Sequence, residues 1–250
     1  YSCHSDEIRI IRIVFMKAVI AAAGRGTRMK HLSQDKPKHL ISVNGRPWMS
    51  HVFDNMRAAG IKDIILVVGY QAEAWDSFLK NETHDLNITV VNQFRKMGED
   101  RYGTAVPVEC VEDVVGGDDF LFFYGDNVYA KKDFTEFLNA DRGQSCIGGM
   151  RHEDPNRFGV LFEEGGILKN IVEKPEEFIG DLINVGIYRF TPDIFDVLKK
   201  IELSPRGEYE LTDAVSLLAQ EKQVKVIPVS DYWMDFGRPE DVEKSGERFS

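Results

Sequence analysis

Short apolar runs and helical stripes alternate along the first half of the chain. Lys17 leads into AVIAA, an unbroken apolar run that stops at Gly24, which predicts a buried strand feeding a loop. PWMSHVFDNMRAAG then sets Trp48, Val52, Met56 and Ala59 on one helical face, with Gly60 as a C-terminal stop. DIILVVG reads as a second buried strand, QAEAWDSFLK as a helix and NITVVNQ as a strand. TAVPVECVEDVV reads as a helix with Pro107 in its first turn, and DFLFFYGD as another strand. Strands separated by helices imply parallel pairing through right-handed crossovers, hence a three-layer α/β sheet that binds ligands at the carboxyl ends of its strands.

After residue 143 the period changes. QSCIGGMR, RFGVLFE, ILKNIVEK and INVGIYRF are short β segments separated by turn residues, which predicts a strand-rich extension of the same sheet. TPDIFDVLKKI returns to a helical pattern, with Thr191 as N-cap and Pro192 at the first helical position. LTDAVSLLAQE is a further helix, VKVIPVS a strand and PEDVEKSGERF a closing helix. Neither a Gly/Ser/Pro linker nor an internal repeat divides the chain, so one domain over residues 16–250 is expected. Residues 1–15 precede the first strand, carry Arg9 and Arg12 within their apolar stretch, and read as an N-terminal extension outside the core rather than a secretory leader.

Composition narrows the chemistry. A formal charge of -10 leaves nothing to offset phosphate repulsion over a broad surface, so nucleic acid and anionic membranes are excluded as general partners. Cys3, Cys110 and Cys146 are widely spaced and odd in number, which points to neither a disulfide framework nor a zinc site and suits a reducing cytoplasm. No histidine has an HxxxH or HExxH partner, so no transition-metal site is expected.

Against that acidic background AAAGRGTRMKHLSQDKPKHL is an exception. Between Gly24 and His39 stand Arg25, Arg28, Lys30, Lys36 and Lys38 against Asp35 alone. Glycines let backbone N–H groups approach phosphate oxygens, and arginine and lysine add charge-assisted hydrogen bonds, so the loop suits a nucleoside triphosphate. A dinucleotide fingerprint would need a glycine where Met29 stands, and a P-loop would need four residues between its glycines and then Lys-Ser/Thr. Both are excluded.

The segment AAAGRGTRM followed by KPKHL resembles the signature of the sugar nucleotidyltransferase family, which joins a nucleoside triphosphate to a sugar 1-phosphate. RYGTA, YGDN, NRFGVLFE, VEKP, NVGIYRF, GEYELTDA and WMDFGRPEDV follow in order, each similar to a family segment and spread over residues 17–241. The resemblance implies a Rossmann-like mixed sheet with a strand-rich sugar-binding extension. It implies that Ala21, Ala22, Ala23, Gly24, Arg25, Gly26 and Thr27 lie against the nucleotide, that Arg28 meets the departing pyrophosphate and that Lys38 holds the α phosphate. Gln93, Gly103 and Thr104 would read the base. Tyr124 and Gly125 would line the pocket, and Gly159, Glu173, Lys174 and Asn184 would hold the sugar phosphate. Asp126 and Asp235 would carry a magnesium ion, Mg2+, as metal ligands.

The activity so implied is transfer of a nucleotidyl group to glucose 1-phosphate from dTTP or UTP. A mannose-1-phosphate guanylyltransferase, a cytidylyltransferase and a non-catalytic regulatory subunit stand as alternatives. A homo-oligomer is compatible with the family. The chain reaches Ser250 without hexapeptide repeats, so no acetyltransferase helix is expected. HLSQD lacks the proline common at that point in the family and is where local geometry is expected to depart.

Overall fold

The computed structural model describes residues 16–230 and 232–249. The expected extension at residues 1–15, Cys3 included, lies outside the described residues. The first apolar run forms β1 (Ala18–Ala22). A short hairpin follows, β2 (Ser42–Val43) and β3 (Arg46–Pro47), whose turn residues Asn44 (φ 50°) and Gly45 (φ 78°) have the left-handed geometry of a type I′ turn. Then come α1 (Trp48–Ala58), β4 (Asp63–Val68), α2 (Ala74–Glu82), β5 (Asn87–Asn92) and α3 (Gln93–Met97).

Gln93 therefore opens a helix rather than closing a strand. Asn92 makes that break, because its side chain accepts a hydrogen bond from the Arg95 amide and caps α3. The helix expected across TAVPVECVEDVV divides into α4 (Val106–Glu109) and α5 (Glu112–Val115) around non-helical Val111. Its valines are weak helix formers, and burying Val108, Val111 and Val115 against the sheet overrides continuity of the helix.

The chain continues through β6 (Phe120–Tyr124), β7 (Asn127–Tyr129), α6 (Lys131–Leu138) and β8 (Ser145–Arg151). β9 (Gly159–Glu164), β10 (Ile167–Glu173) and β11 (Leu182–Phe190) complete the strand-rich stretch. Next is α7 (Asp193–Leu198), which starts one residue later than expected. Thr191 does not cap it; its buried hydroxyl lies 3.2 Å from Ser145 Oγ and 3.2 Å from Asp193 Oδ2 instead. α8 (Leu211–Glu221), β12 (Val224–Pro228), β13 (Trp233–Asp235) and α9 (Glu240–Arg248) close the described chain.

Nine strands form one mixed sheet in the order β5-β4-β1-β6-β11-β8-β12-β10-β9. The first four are parallel, as the alternation of strands and helices predicts. From β6 onward antiparallel pairing dominates, and Ile183 of β11 also pairs with Val160 of β9. The strands β11, β8, β12, β10 and β9 thus close on one another at the far end of the sheet. Along β1, Ala18, Ile20 and Ala22 enter one apolar layer while Val19, Ala21 and Ala23 enter the other. α1, α2 and α6 cover the first face through Trp48, Val52, Phe53, Met56, Trp75, Phe78, Phe134 and Phe137. α4, α5, α7 and α8 cover the second. Each of these large side chains contributes about 1.5–3 kcal/mol on burial, which holds the carboxyl edge of β1, β4 and β6 rigid beneath the loops that follow it.

Candidate active site

A cleft along that edge has two lobes. The first is lined by Ala21, Ala23, Gly24, Arg25, Lys38, His39, Gln93, Phe94, Tyr102, Gly103, Thr104 and neighbouring residues. The second is lined by Arg28, Asn127, Arg157, Gly159, Glu173, Lys174, Asn184, Trp233, Asp235 and others. Thr104, Tyr124 and Asp126 belong to both, so the lobes share one wall.

Strand alternation sorts the loop residues expected at the nucleotide. Ala21, Ala23, Gly24 and Arg25 open on the first lobe, whereas Ala22 turns into the opposite apolar layer. Gly26 packs against Lys38, its carbonyl accepting bonds from the Met29 amide and Ser33 Oγ, and neither Gly26 nor Thr27 lines either lobe. Arg28 reaches the second lobe rather than the first. Arg25 is held from outside by Glu99 at 2.6 Å. Lys30, immediately before the HLSQD stretch expected to depart from the family, takes φ 53° and ψ -125°, a geometry rare for any residue with a Cβ.

The charged groups gather around Asp126 on the shared wall. Lys38 is buried and its ammonium is ion-paired with Asp126 Oδ2. Asp126 follows β6 in a turn where the Gly125 amide donates to Ala21 O at 2.8 Å and Trp48 Nε1 donates to Gly125 O at 2.9 Å. Gly125 is thus a support for the turn and does not line either lobe. Asp235 arrives from far along the chain through the ribbon β7–β13, which sets it opposite Asn127, and the Phe236 amide donates to Asp126 O at 2.7 Å.

Burial works against the Asp126 charge, but the charge and hydrogen bond of Lys38, with Arg28 adding to them, outweigh it and hold the carboxyl below its ordinary range. For Asp235 burial comes first and the neighbouring Asp126 charge adds to it, pushing the carboxyl up to about 6. His39 stays neutral: burial, reinforced by the Lys38 charge, lowers it to about 3.

In the second lobe Glu173 lies opposite Gly159 across the β9–β10 pair. A Cβ at Gly159 would come within 3.1 Å of Glu173 Oε2, so the glycine leaves room for the carboxylate. Glu173 Oε1 is 3.3 Å from Lys174 Nζ and 3.3 Å from Arg206 Nη1. The Asn184 amide donates to Tyr188 Oη at 2.6 Å and accepts from the Gly186 amide at 3.0 Å, so both ends of its side chain already have partners. Tyr124 Oη reaches Thr104 O at 3.5 Å; burial first, then Tyr188 and Glu173, keep its phenol protonated. Gln93 is buried with Oε1 unpartnered at the first lobe.

Several residues of the cleft carry no assignment from the sequence. Arg157, Phe158 and Trp233 wall the second lobe, His39 and Phe94 the first, and Arg206 stands beside Glu173. Trp233 and Phe158 lie inside quoted motifs, WMDFG and NRFGV, and could have been taken with them. Arg206 sits in an exposed polar turn with no signal of its own.

A parallel half-sheet with a glycine and cation loop at its carboxyl edge, joined to a lobe of paired charges, defines a two-lobed α/β cleft. The chain belongs to the nucleotidyl transferase family, whose model matches residues 17–248. It is 32% identical over 239 residues to the UTP–glucose-1-phosphate uridylyltransferase AglF of Haloferax volcanii, covering 93% of this chain and 96% of that one. It is 31% identical to a mannose-1-phosphate guanyltransferase of Candida albicans, covering 90% of this chain and 62% of that protein. The bifunctional protein GlmU of Methanocaldococcus jannaschii is 35% identical, and the match covers 91% of this chain and 52% of GlmU. The chain thus spans about half to two thirds of the length of the latter two. Among solved structures, a Bacillus anthracis chain solved as a glucose-1-phosphate thymidylyltransferase superposes with a TM-score of 0.81 at 26% identity, over 93% of this chain and 94% of that one.

Proposed function

We propose that the first lobe takes a nucleoside triphosphate, that the second takes a sugar 1-phosphate, and that the chain transfers the nucleotidyl group between them. The observation that carries this reading is the Lys38–Asp126 ion pair, whose lysine lines the first lobe and whose carboxylate lines both, where the two ligands would meet. An oxygen of the sugar phosphate attacks the α phosphorus, a new P–O bond forms, and the bond to the β-phosphate bridging oxygen breaks with its electron pair leaving on pyrophosphate. A phosphate monoester is largely dianionic near neutrality, since its second pKa is about 6, so no general base is needed. An ammonium has three donors, so Lys38 can keep Asp126 and still bond an α-phosphate oxygen as charge moves toward the leaving group. Arg28, on the second lobe, adds positive charge near Asp126. Glu173 accepts hydroxyl hydrogen bonds, and Lys174 meets the sugar phosphate.

Asp126 and Asp235 suit a magnesium ion. Two neighbouring carboxylates, one of them pushed up to about 6 by burial and then by the other, are a place where a dication relieves repulsion. Magnesium needs only one or two carboxylates when substrate phosphates complete its shell. No group of three or more metal-ligating side chains occurs among the described residues, so such an ion would rest on this pair. When bound, it would neutralise charge on the triphosphate.

The activities named for the relatives favour glucose 1-phosphate with UTP or dTTP, and the Candida albicans relative supports mannose 1-phosphate with GTP as the second reading. A cytoplasmic setting accords with the buried free thiols of Cys110 and Cys146. The test is pyrophosphate release by the purified chain with four triphosphates against glucose and mannose 1-phosphates. Lys38→Ala and Asp126→Asn should each lower kcat by about 100-fold or more, the scale of losing one preorganised charge contact to a transition state. Full activity in either variant would overturn the roles given to this pair. A wild-type chain that releases no pyrophosphate with magnesium would favour a regulatory subunit.

A further inference from the structure

Two segments distant in sequence meet between the lobes. Gly103, with φ 142°, lies so close to Tyr209 that a Cβ would fall 2.3 Å from both its backbone N and O. The Tyr209 amide donates to Tyr102 O at 3.0 Å and the Ala105 amide donates to Tyr209 O at 2.9 Å. Arg101, held by Glu109 at 2.7 Å, lies 4.1 Å over the Tyr209 ring. The glycine at 103 is therefore required by this seam, whatever it offers a nucleotide.

The seam ends on a buried carboxylate that neither lobe uses. Glu210 is only 2% exposed. Thr104 Oγ1 accepts the Leu211 amide at 2.9 Å and donates to Glu210 Oε2 at 3.2 Å, so the first-lobe segment also caps the start of α8. Glu210 Oε1 receives Ser204 Oγ at 3.4 Å and faces Arg206 Nη1 at 3.4 Å. The same guanidinium reaches Glu173 in the second lobe at 3.3 Å and Glu208 in the first at 3.4 Å. Arg206 thus has three carboxylates within similar reach and no single short partner, and its side chain is 39% exposed, which leaves it free to be redistributed among them.

We propose that Glu210 is a positioning residue that couples the two lobes, linking segment 101–105 through Arg206 to Glu173, so that nucleotide in the first lobe tightens sugar 1-phosphate in the second. The inference rests on the assignment of ligands to lobes given above. A ligand packed on Tyr102, Gly103 and Thr104 fixes that segment, the two backbone bonds fix Tyr209, and the Thr104 and Glu210 contacts fix where Arg206 can lie. Arg206 in turn sets the orientation of the Glu173 carboxylate. Linkage makes the effect reciprocal: sugar phosphate must tighten nucleotide by the same factor.

The test is calorimetric titration of the full chain with glucose 1-phosphate, alone and with saturating α,β-methylene UTP, and in parallel with mannose 1-phosphate and α,β-methylene GTP. One matched pair should show at least fivefold tightening in the wild type, the lower end of common coupling factors. Glu210→Gln keeps length and volume but loses the charge facing Arg206. It should bind the nucleotide analogue within about threefold of wild type while the coupling factor falls below about two, and Glu210→Asp should restore part of it. In turnover, Glu210→Gln should raise KM for the sugar phosphate while kcat changes little.

A wild-type factor of one, or a Glu210→Gln protein that keeps the full factor, would overturn the proposal. If Glu210→Gln does not fold, Arg206→Gln, at a 39% exposed position outside both lobe linings, is read in the same assay for the coupling factor alone, which should likewise fall below about two. Because binding is measured without turnover, coupling in a chain that releases no pyrophosphate would support the link and reject the reaction. Normal turnover without coupling would do the opposite, and failure of both analogues to bind would reject both.

Discussion

The two lobes share a wall but are built from different materials. The first offers small side chains, glycine backbone and rings, among them Ala21, Ala23, Gly24, Phe94 and Pro107, with a neutral buried histidine beside the lysine. The second offers charge in pairs, with Glu173 between Lys174 and Arg206 and the carboxylate of Asp235 near Arg28. A flat base is held by shape and backbone contact, whereas a hydroxylated sugar bearing a phosphate is held by acceptors and cations. Changes in the first lobe should therefore act through packing and desolvation, and changes in the second through charge.

The largest expected effect concerns desolvation in the first lobe. His39 is 1% exposed, its Nδ1 has no hydrogen-bond partner, and its ring lies 5.8 Å from that of Trp75. Its folded pKa is lowered from 6.5 to about 3 by burial and then by Lys38. The unfolded chain therefore takes up a proton on this residue that the folded chain refuses. The stability tied to keeping it neutral is complete above about pH 6.5 and is lost progressively as pH falls toward 3, at roughly 1.4 kcal/mol per pH unit. Between pH 7 and 4.5 that is about 2.5–3 kcal/mol from this residue. Urea unfolding of the wild type and His39→Phe at both pH values isolates it, because the variant keeps every other titrating group. His39→Phe should lose less stability on acidification by about that amount, and an equal loss in the two proteins would mean that the first lobe is wetter than its packing indicates.

The second lobe should answer to charge at nearly constant shape. Glu173→Gln keeps the volume beside Gly159 but removes the ionic partner of Lys174 and Arg206. A hydrogen bond to a charged group contributes about 1.5–3 kcal/mol, so KM for the sugar 1-phosphate should rise by roughly 10-fold or more. KM for the triphosphate measured at saturating sugar phosphate should change far less. Steady-state kinetics with each substrate varied in turn gives the split. Equal rises in both constants would erase the distinction between the lobes.

The same contrast explains what could be read before folding. Buried parallel strands are continuous apolar runs, so β1, β4 and β6 stand out, and with them the loop that follows β1. Of the segment from Ala21 to Thr27 only part opens on the cleft, because strand alternation, itself legible, sends Ala22 to the opposite layer. The ribbon β7–β13 was not legible: NVY and WMD are three residues each, too short for a period, and only their pairing brings Asp235 to Asp126. Arg206 and Glu210 escaped for a related reason. Their roles come from contacts with Glu173 and Thr104, 33 and 106 residues away, and no local pattern announces such contacts.

Strained backbone separates the two sides in a last and smaller way. Lys174 in the second lobe and Lys30 in the loop after β1 both have positive φ, 45° and 53°. The Lys174 amide is tied to Phe158 O at 3.0 Å and its ammonium lies beside Glu173, so its conformation serves the site. Lys30 is exposed, lines neither lobe, and holds φ and ψ near those of the first central residue of a type II′ turn, where glycine is favoured. Such a geometry costs a residue with a Cβ about 1–3 kcal/mol, part of which glycine returns through its freer unfolded chain. Lys30→Gly should therefore stabilise the protein by about 1 kcal/mol, or roughly 2–4 °C in Tm for a chain of this size. Lys30→Ala, which removes the charge and keeps the Cβ, should not. A gain in both variants would assign the effect to relief of the local cationic cluster, and a gain in neither would mean that the turn adapts to lysine without strain.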